Sequence, residues 1–142
     1  MTDQNLSGKW AGEYIYGEGY PPSIRGKKVA FEIDFTLANG LLKGHCTDEE
    51  ATPHFMKPAT IEGTVCDNCI SFVKRYPYYW QNEDEAGPRF IPKLPSQEIN
   101  YSGNFMDGQF EGEWEIVTVF FDDRGEPFAY KGNGYWHMKK AG

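Results

Sequence analysis

The chain lacks any apolar run near the roughly 20 residues that a membrane-spanning helix needs. It also lacks a basic excess. Its 21 acidic and 14 basic side chains leave a net charge of −7, the wrong sign for a partner held by a phosphate backbone. Cysteine is scarce and odd in number, at Cys46, Cys66 and Cys69, so the chain carries no disulfide framework. Its first residues, MTDQNLSGKW, show neither a basic leader nor an apolar stretch. Together these set the expectation of a cytoplasmic protein in a reducing compartment, with neither nucleic acid nor membrane as partner. The familiar catalytic signatures are missing too: G-x-S-x-G, a P-loop, H-E-x-x-H and a dinucleotide fingerprint. Alanine and leucine are few, and no segment carries a convincing helical stripe of three turns.

What the chain does have is rings and glycines. Aromatic residues make up 16% of it, as ten Phe, nine Tyr and four Trp, beside 16 Gly. That balance favours strands over helices. A length of 142 residues fits one domain, 1–142, with a core large enough to need no covalent staple.

The alternation is clearest in VAFEIDFTL, where Val29, Phe31, Ile33, Phe35 and Leu37 share one face. KWAGEYIYG puts Trp10, Gly12, Tyr14 and Tyr16 together in the same way. Asn39-Gly40, Asp67-Asn68 and Met106-Asp107-Gly108 read as tight turns between such strands. Residues 48–57 read as a loop or a single helical turn. Residues 77–97 read as one long irregular loop, because they hold four prolines, and proline cannot serve a central strand. The last segment is expected to bend at Gly132-Asn133-Gly134. The count is eight or nine strands joined mostly by short connections. A meander of that size closes into an all-β, antiparallel up-and-down barrel, which removes its exposed edges. The glycines within strands then let the sheet coil sharply beneath large rings.

The motif Gly8-Lys9-Trp10, ahead of such a meander, resembles the calycin group of lipocalins, fatty-acid-binding proteins and avidins. The resemblance implies a barrel whose first tryptophan plugs one end, and a ligand taken into the interior. The T-D-Y signature of lipocalins and the polar set by which avidins hold biotin are not found in this sequence.

The inward parity nominates Trp10, Tyr14, Tyr16, Phe31, Phe72, Tyr76, Tyr101, Trp114 and Trp136 as lining for a small, largely apolar ligand. Lys74 breaks the pattern by sharing a face with Ile70, Phe72 and Tyr76. It is either a strand-end lysine reaching water or a cationic anchor for a ligand carboxylate. Tyr78, Tyr79, Trp80 and Phe90 in the long loop are read as a lid over the cavity, or else as a flap or a dimer contact. Glu13, Glu32, Asp34, Glu62, Glu111, Glu113 and Glu115 all fall on the outward parity, which leaves no carboxylate pair for acid–base work. His45 and His137 face outward as well.

C-D-N-C, Cys66 to Cys69, is the sharpest local motif. It is half of a zinc site, a redox pair or a pair of incidental thiols. No catalytic residue, metal ligand or cofactor is assigned. The leading function is non-enzymatic binding of a small molecule in the barrel. The rivals are a filled barrel serving as a structural or protein-interaction module and a small-molecule enzyme working at the barrel mouth; a second copy of the chain, as a homodimer, is the other candidate partner.

Overall fold

The strict alternation of VAFEIDFTL becomes an eleven-residue strand whose Val29, Phe31, Ile33, Phe35 and Leu37 all face inward. It is one of ten strands in a computed structural model that describes residues 6–55, 57–83, 87–121 and 123–141. The side chains of 54, 81–90, 118–121 and 130 lie outside the described set. In chain order the strands are β1 (Gly8–Tyr16), β2 (Lys28–Ala38), β3 (Leu41–Asp48), β4 (Ala59–Cys66) and β5 (Cys69–Arg75). There follow β6 (Tyr79–Glu83), β7 (Gly87–Ile91), β8 (Ile99–Met106), β9 (Gln109–Phe121) and β10 (Pro127–Lys140). A single 3-10 turn, Thr52–His54, stands between β3 and β4.

Eight of the strands close into an antiparallel barrel in the order β1-β10-β9-β8-β5-β4-β3-β2. This is the all-β meander that the patterning implies. Its tight turns have the chemistry that a two-residue hairpin demands. Asn39 and Gly40 take φ of 54° and 79°, and Asp107 and Gly108 take 54° and 83°. Both central residues are left-handed in each case, which matches the twist of the flanking strands.

Two expectations are corrected. Residues 77–97 are not irregular throughout: β6 and β7 pair with each other from Tyr79↔Ile91 to Glu83↔Gly87, outside the barrel. A two-stranded ribbon consists of two edge strands, so Pro88 costs it no central ladder bond. The last segment does not bend at Gly132-Asn133-Gly134 either. β10 runs unbroken for 14 residues and pairs with β9 from Pro127↔Phe121 to Lys139↔Gln109.

Glycines set the curvature. A Cβ on Gly12 would stand 1.8 Å from the carbonyl oxygen of His137, and one on Gly63 would stand 1.9 Å from that of Ser71. Neighbouring backbone fills the place of the side chain. Indoles fill others: Trp114 lies against Gly134, and Trp136 against Gly103.

One end of the barrel is plugged. Trp10 stacks on Phe35 at 6.2 Å, meets Phe110 at 5.1 Å, and donates its indole N–H to the Leu6 carbonyl at 2.8 Å. The implied tryptophan plug is present. The opposite end, where β1, β3 and β5 finish, carries the polar chemistry.

Candidate functional site

Strand parity delivers the polar groups. Asp48 ends β3 on the same face as Cys46 and Leu42, and Lys74 sits in β5 between inward Phe72 and Tyr76. Tyr14 and Tyr16 finish β1, and Tyr101 opens β8. Asp48, Lys74, Tyr14, Tyr16 and Tyr76 are buried at one end of the barrel, with Tyr101 deeper.

Lys74 is 1% exposed and its ammonium lies 3.2 Å from Asp48 Oδ2. Neither expectation for this lysine describes it: it does not reach water, and its partner is a carboxylate of its own chain. Tyr76 donates its hydroxyl to the same Oδ2 at 2.6 Å. The ammonium also stands 4.6 Å from the Tyr76 ring centre and 4.9 Å from that of Tyr14. A buried ion must be paired and further solvated by hydrogen bonds or ring faces, and this one is.

Asp48 has a second task. Its Oδ1 accepts the backbone N–H groups of Glu50 at 2.9 Å and Ala51 at 2.6 Å. Its own N–H donates to Thr52 Oγ1 at 2.7 Å. One carboxylate thus holds Lys74 and Tyr76 with one oxygen and shapes the segment after β3 with the other.

Glu50 lies on that segment and turns back into the barrel mouth. It accepts the hydroxyls of Tyr16 and Tyr14, the latter at 3.2 Å, and pairs with the Lys27 ammonium at 2.7 Å. Tyr20, from the β1–β2 connection, packs edge-on to Tyr16 at 4.8 Å and lies 6.0 Å from Trp114. Further round the mouth, Phe55 stacks on Tyr76 at 5.3 Å and meets Tyr78 at 4.6 Å, while Trp80 sits edge-on to Tyr76 at 5.6 Å.

The electrostatics follow from the burial. Desolvation pushes the Asp48 carboxyl up, but the Lys74 ammonium, the Tyr76 hydroxyl and the Ala51 N–H outweigh it and hold the group below the usual carboxylate range. Burial pulls the Lys74 ammonium down, and the surrounding acidic groups reverse that, so the lysine stays charged. At neutral pH the partner that counts is Asp48. Burial raises the Tyr14, Tyr76 and Tyr101 hydroxyls and lifts the Cys46 thiol to about 11. The polar end of the barrel therefore holds neutral phenols and one compensated ion pair.

A pH prediction follows. The native carboxyl of Asp48 sits below its unfolded value of about 3.9. Its contribution is thus complete above about pH 4 and is lost as pH falls through the lower native value. Denaturant titrations at a series of acid pH values should show this loss, and Asp48→Asn should flatten that part of the profile.

The nine residues nominated as lining, and Lys74 with them, are all buried. They do not form one site. Trp10 belongs to the plug. Phe72, Tyr101 and Trp136 stack on one another at mid-depth, with centroids 4.8–5.7 Å apart. Tyr14, Tyr16, Lys74, Tyr76 and Trp114 stand at the polar end with Phe31, which stacks on Tyr14 at 6.3 Å. Of the residues read as a lid, Tyr78 packs against Phe55 and Trp80 against Tyr76, Tyr79 is half-buried, and the Phe90 side chain lies outside the described residues. The named outward carboxylates are exposed or half-buried. His137 is half-exposed beside Glu13 at 3.2 Å. Sequence reasoning missed Asp48 and Glu50. Asp48 was findable, since it lies two residues beyond Cys46 on the same parity; nothing in the pattern marks Glu50.

A scan against models of protein families finds no match, and comparison with curated protein sequences finds none either. Two solved structures share the outline. The apo form of bradavidin2 (form B) is 16% identical with a TM-score of 0.47, over 89% of this chain and 94% of that one. The bradavidin2–biotin complex is 17% identical with a TM-score of 0.43, over the same shares. The likeness is one of outline alone. The closed order of eight antiparallel strands carries the fold assignment without it.

Proposed function

We propose that the protein binds a small, mostly apolar molecule at the polar end of the barrel, without catalysis, and that the molecule presents an oxygen acceptor to Tyr14 and Tyr16. The observation behind this reading is the position of Glu50. A carboxylate on a short connecting segment enters the mouth and takes the hydroxyls of two inward tyrosines. That is the place and the chemistry of a ligand head group, a carboxylate or a polarised carbonyl. Tyr16, Tyr20 and Trp114 supply ring faces beside it. The Asp48–Lys74 pair below is already neutral overall, so it asks for no counter-charge. When Glu50 swings out and Lys27 stays, an incoming carboxylate restores the negative charge that departed.

The closed state then competes with the ligand. Glu50→Ala removes the competitor, and the apparent affinity rises because more of the population is open. Tyr16→Phe alone changes little, since the hydroxyl is lost from both states. On the Glu50→Ala background, Tyr14→Phe with Tyr16→Phe should weaken binding about tenfold or more, the worth of hydrogen bonds to a charged acceptor. Tryptophan fluorescence titrations with small aromatic and aliphatic carboxylates read this out. Biotin, the ligand in one of the bradavidin2 structures, belongs in that panel. If Glu50→Ala takes up ligand no better than the parent, the proposal fails.

A filled barrel used as a structural or protein-interaction module is the second reading. It is favoured by the rings of the lower barrel, where Trp10, Phe35, Phe72, Phe110 and Trp136 are all 2% exposed or less. The same titrations separate the two.

A further inference from the structure

At the plugged end, far along the strands from the polar mouth, the β4–β5 hairpin turns through Asp67 and Asn68. Cys66 and Cys69 are direct partners across this turn. Both thiols are free and exposed, and both belong to the outward parity, since Val65 and Ile70 on either side face the core. Directly opposed residues of an antiparallel pair have Cα atoms about 4.5–5.5 Å apart, within the 4.4–6.8 Å span of disulfides. Their Cβ atoms start about 4.5–5.5 Å apart, so closure asks for an approach of about 1 Å at a hairpin tip. The turn is braced on both sides. Val65 donates its N–H to the Gly40 carbonyl at 2.9 Å, and Phe105 to the Asn68 carbonyl at 2.7 Å. Cys69 rests its thiol on Asn104 Oδ1 at 3.4 Å. The two cysteines are therefore held as backbone neighbours on a braced turn, and both thiols are exposed.

A metal is the poorer occupant. Among the described residues no cluster of three or more His, Cys, Asp or Glu could hold one, and two thiolates leave a tetrahedral ion half-bound.

We infer that Cys66 and Cys69 are a redox-active dithiol that exchanges with low-molecular-weight disulfides such as oxidised glutathione, closing to an intrachain disulfide across the turn. The thiolate of one cysteine attacks a sulfur of the glutathione disulfide and expels one glutathione thiolate, leaving a mixed disulfide. The second cysteine, as thiolate, attacks the protein-bound sulfur of that mixed disulfide and expels the second glutathione thiolate. Two protein thiols are oxidised by two electrons. One glutathione disulfide is reduced to two glutathione thiols, which take up the two protons. The ring that closes spans only two intervening residues, so the second step outruns capture by another molecule. Cys46 is buried in the barrel and stays out of the exchange.

The test uses the full reduced chain, incubated with oxidised glutathione, quenched in acid and alkylated with N-ethylmaleimide after unfolding. Intact mass and peptide mapping follow. The expected product has lost two hydrogens, carries one maleimide at Cys46, holds an internal link between Cys66 and Cys69, and is restored by reduced glutathione. Cys69→Ser should instead keep glutathione on Cys66, since the resolving thiol is gone. Three maleimides on the wild-type chain would overturn the inference. So would a lasting glutathione adduct, or a dimer joined by an interchain disulfide.

Discussion

Asp48→Ala is expected to lower stability by about 3–5 kcal/mol, the usual loss when one partner of a buried ion pair is removed. Three effects converge at this position. The Lys74 ammonium is left without its carboxylate in a site that water does not reach. The Tyr76 hydroxyl loses its acceptor. The N–H groups of Glu50 and Ala51 lose theirs. A buried donor stripped of its partner incurs its full desolvation penalty, whereas removing both partners together is far milder. The double variant Asp48→Leu with Lys74→Met should therefore recover much of the loss, since no uncompensated ion remains. Chemical denaturation of Asp48→Leu, Lys74→Met and the double variant gives the coupling directly. A coupling of about 2 kcal/mol or more is expected. Losses that add to within about 0.5 kcal/mol would show that the two groups act independently and would remove the ion pair from the account.

Gly12→Ala should be comparably damaging, although it adds one methyl group. That methyl would sit 1.8 Å from the His137 carbonyl oxygen and 2.7 Å from the Met138 Cα, both of them backbone. No side chain can turn away to make room, so β1 and β10 must separate along the seam that closes the barrel. Overpacking a core costs about 1–3 kcal/mol where neighbours can shift; here the cost should exceed about 3 kcal/mol. Gly108→Ala is the useful contrast. Its Cβ would meet nothing, and the strain comes only from a φ of 83°, so the loss should stay nearer 1–2 kcal/mol, the penalty of a left-handed alanine. Thermal and denaturant unfolding of the two variants should rank them in that order. Equal losses would mean that strand separation is not what limits the barrel.

The sequence made the barrel legible because its alternation is strict where the walls are most regular. Val29 to Leu37 could not sit as a helix without scattering its apolar side chains. Asn39-Gly40 and Asp107-Gly108 fixed the register of two hairpins by their backbone preferences alone. Lys74 stood out because its parity contradicts its charge, and that contradiction marked the polar end of the barrel. Its partner stayed hidden because Asp48 opens a run, Asp48-Glu49-Glu50, that reads as solvated turn. Parity carries information only while a strand lasts, and Asp48 is the last residue of β3. Glu50 was beyond reach in principle. Its inward turn is set by three-dimensional contacts with Tyr14, Tyr16 and Lys27, up to 36 positions away, not by any local period. The β6–β7 ribbon was missed for a related reason. Prolines argue against a central strand and say nothing against a free-standing hairpin.

Native mass spectrometry tests the central claim most directly, on the wild-type and Glu50→Ala chains purified gently from the protein's own host. The account predicts an extra mass of a few hundred daltons that disappears on denaturation, with the occupied fraction larger in Glu50→Ala. A bare mass for both chains would contradict it and leave the filled barrel as the description of this protein.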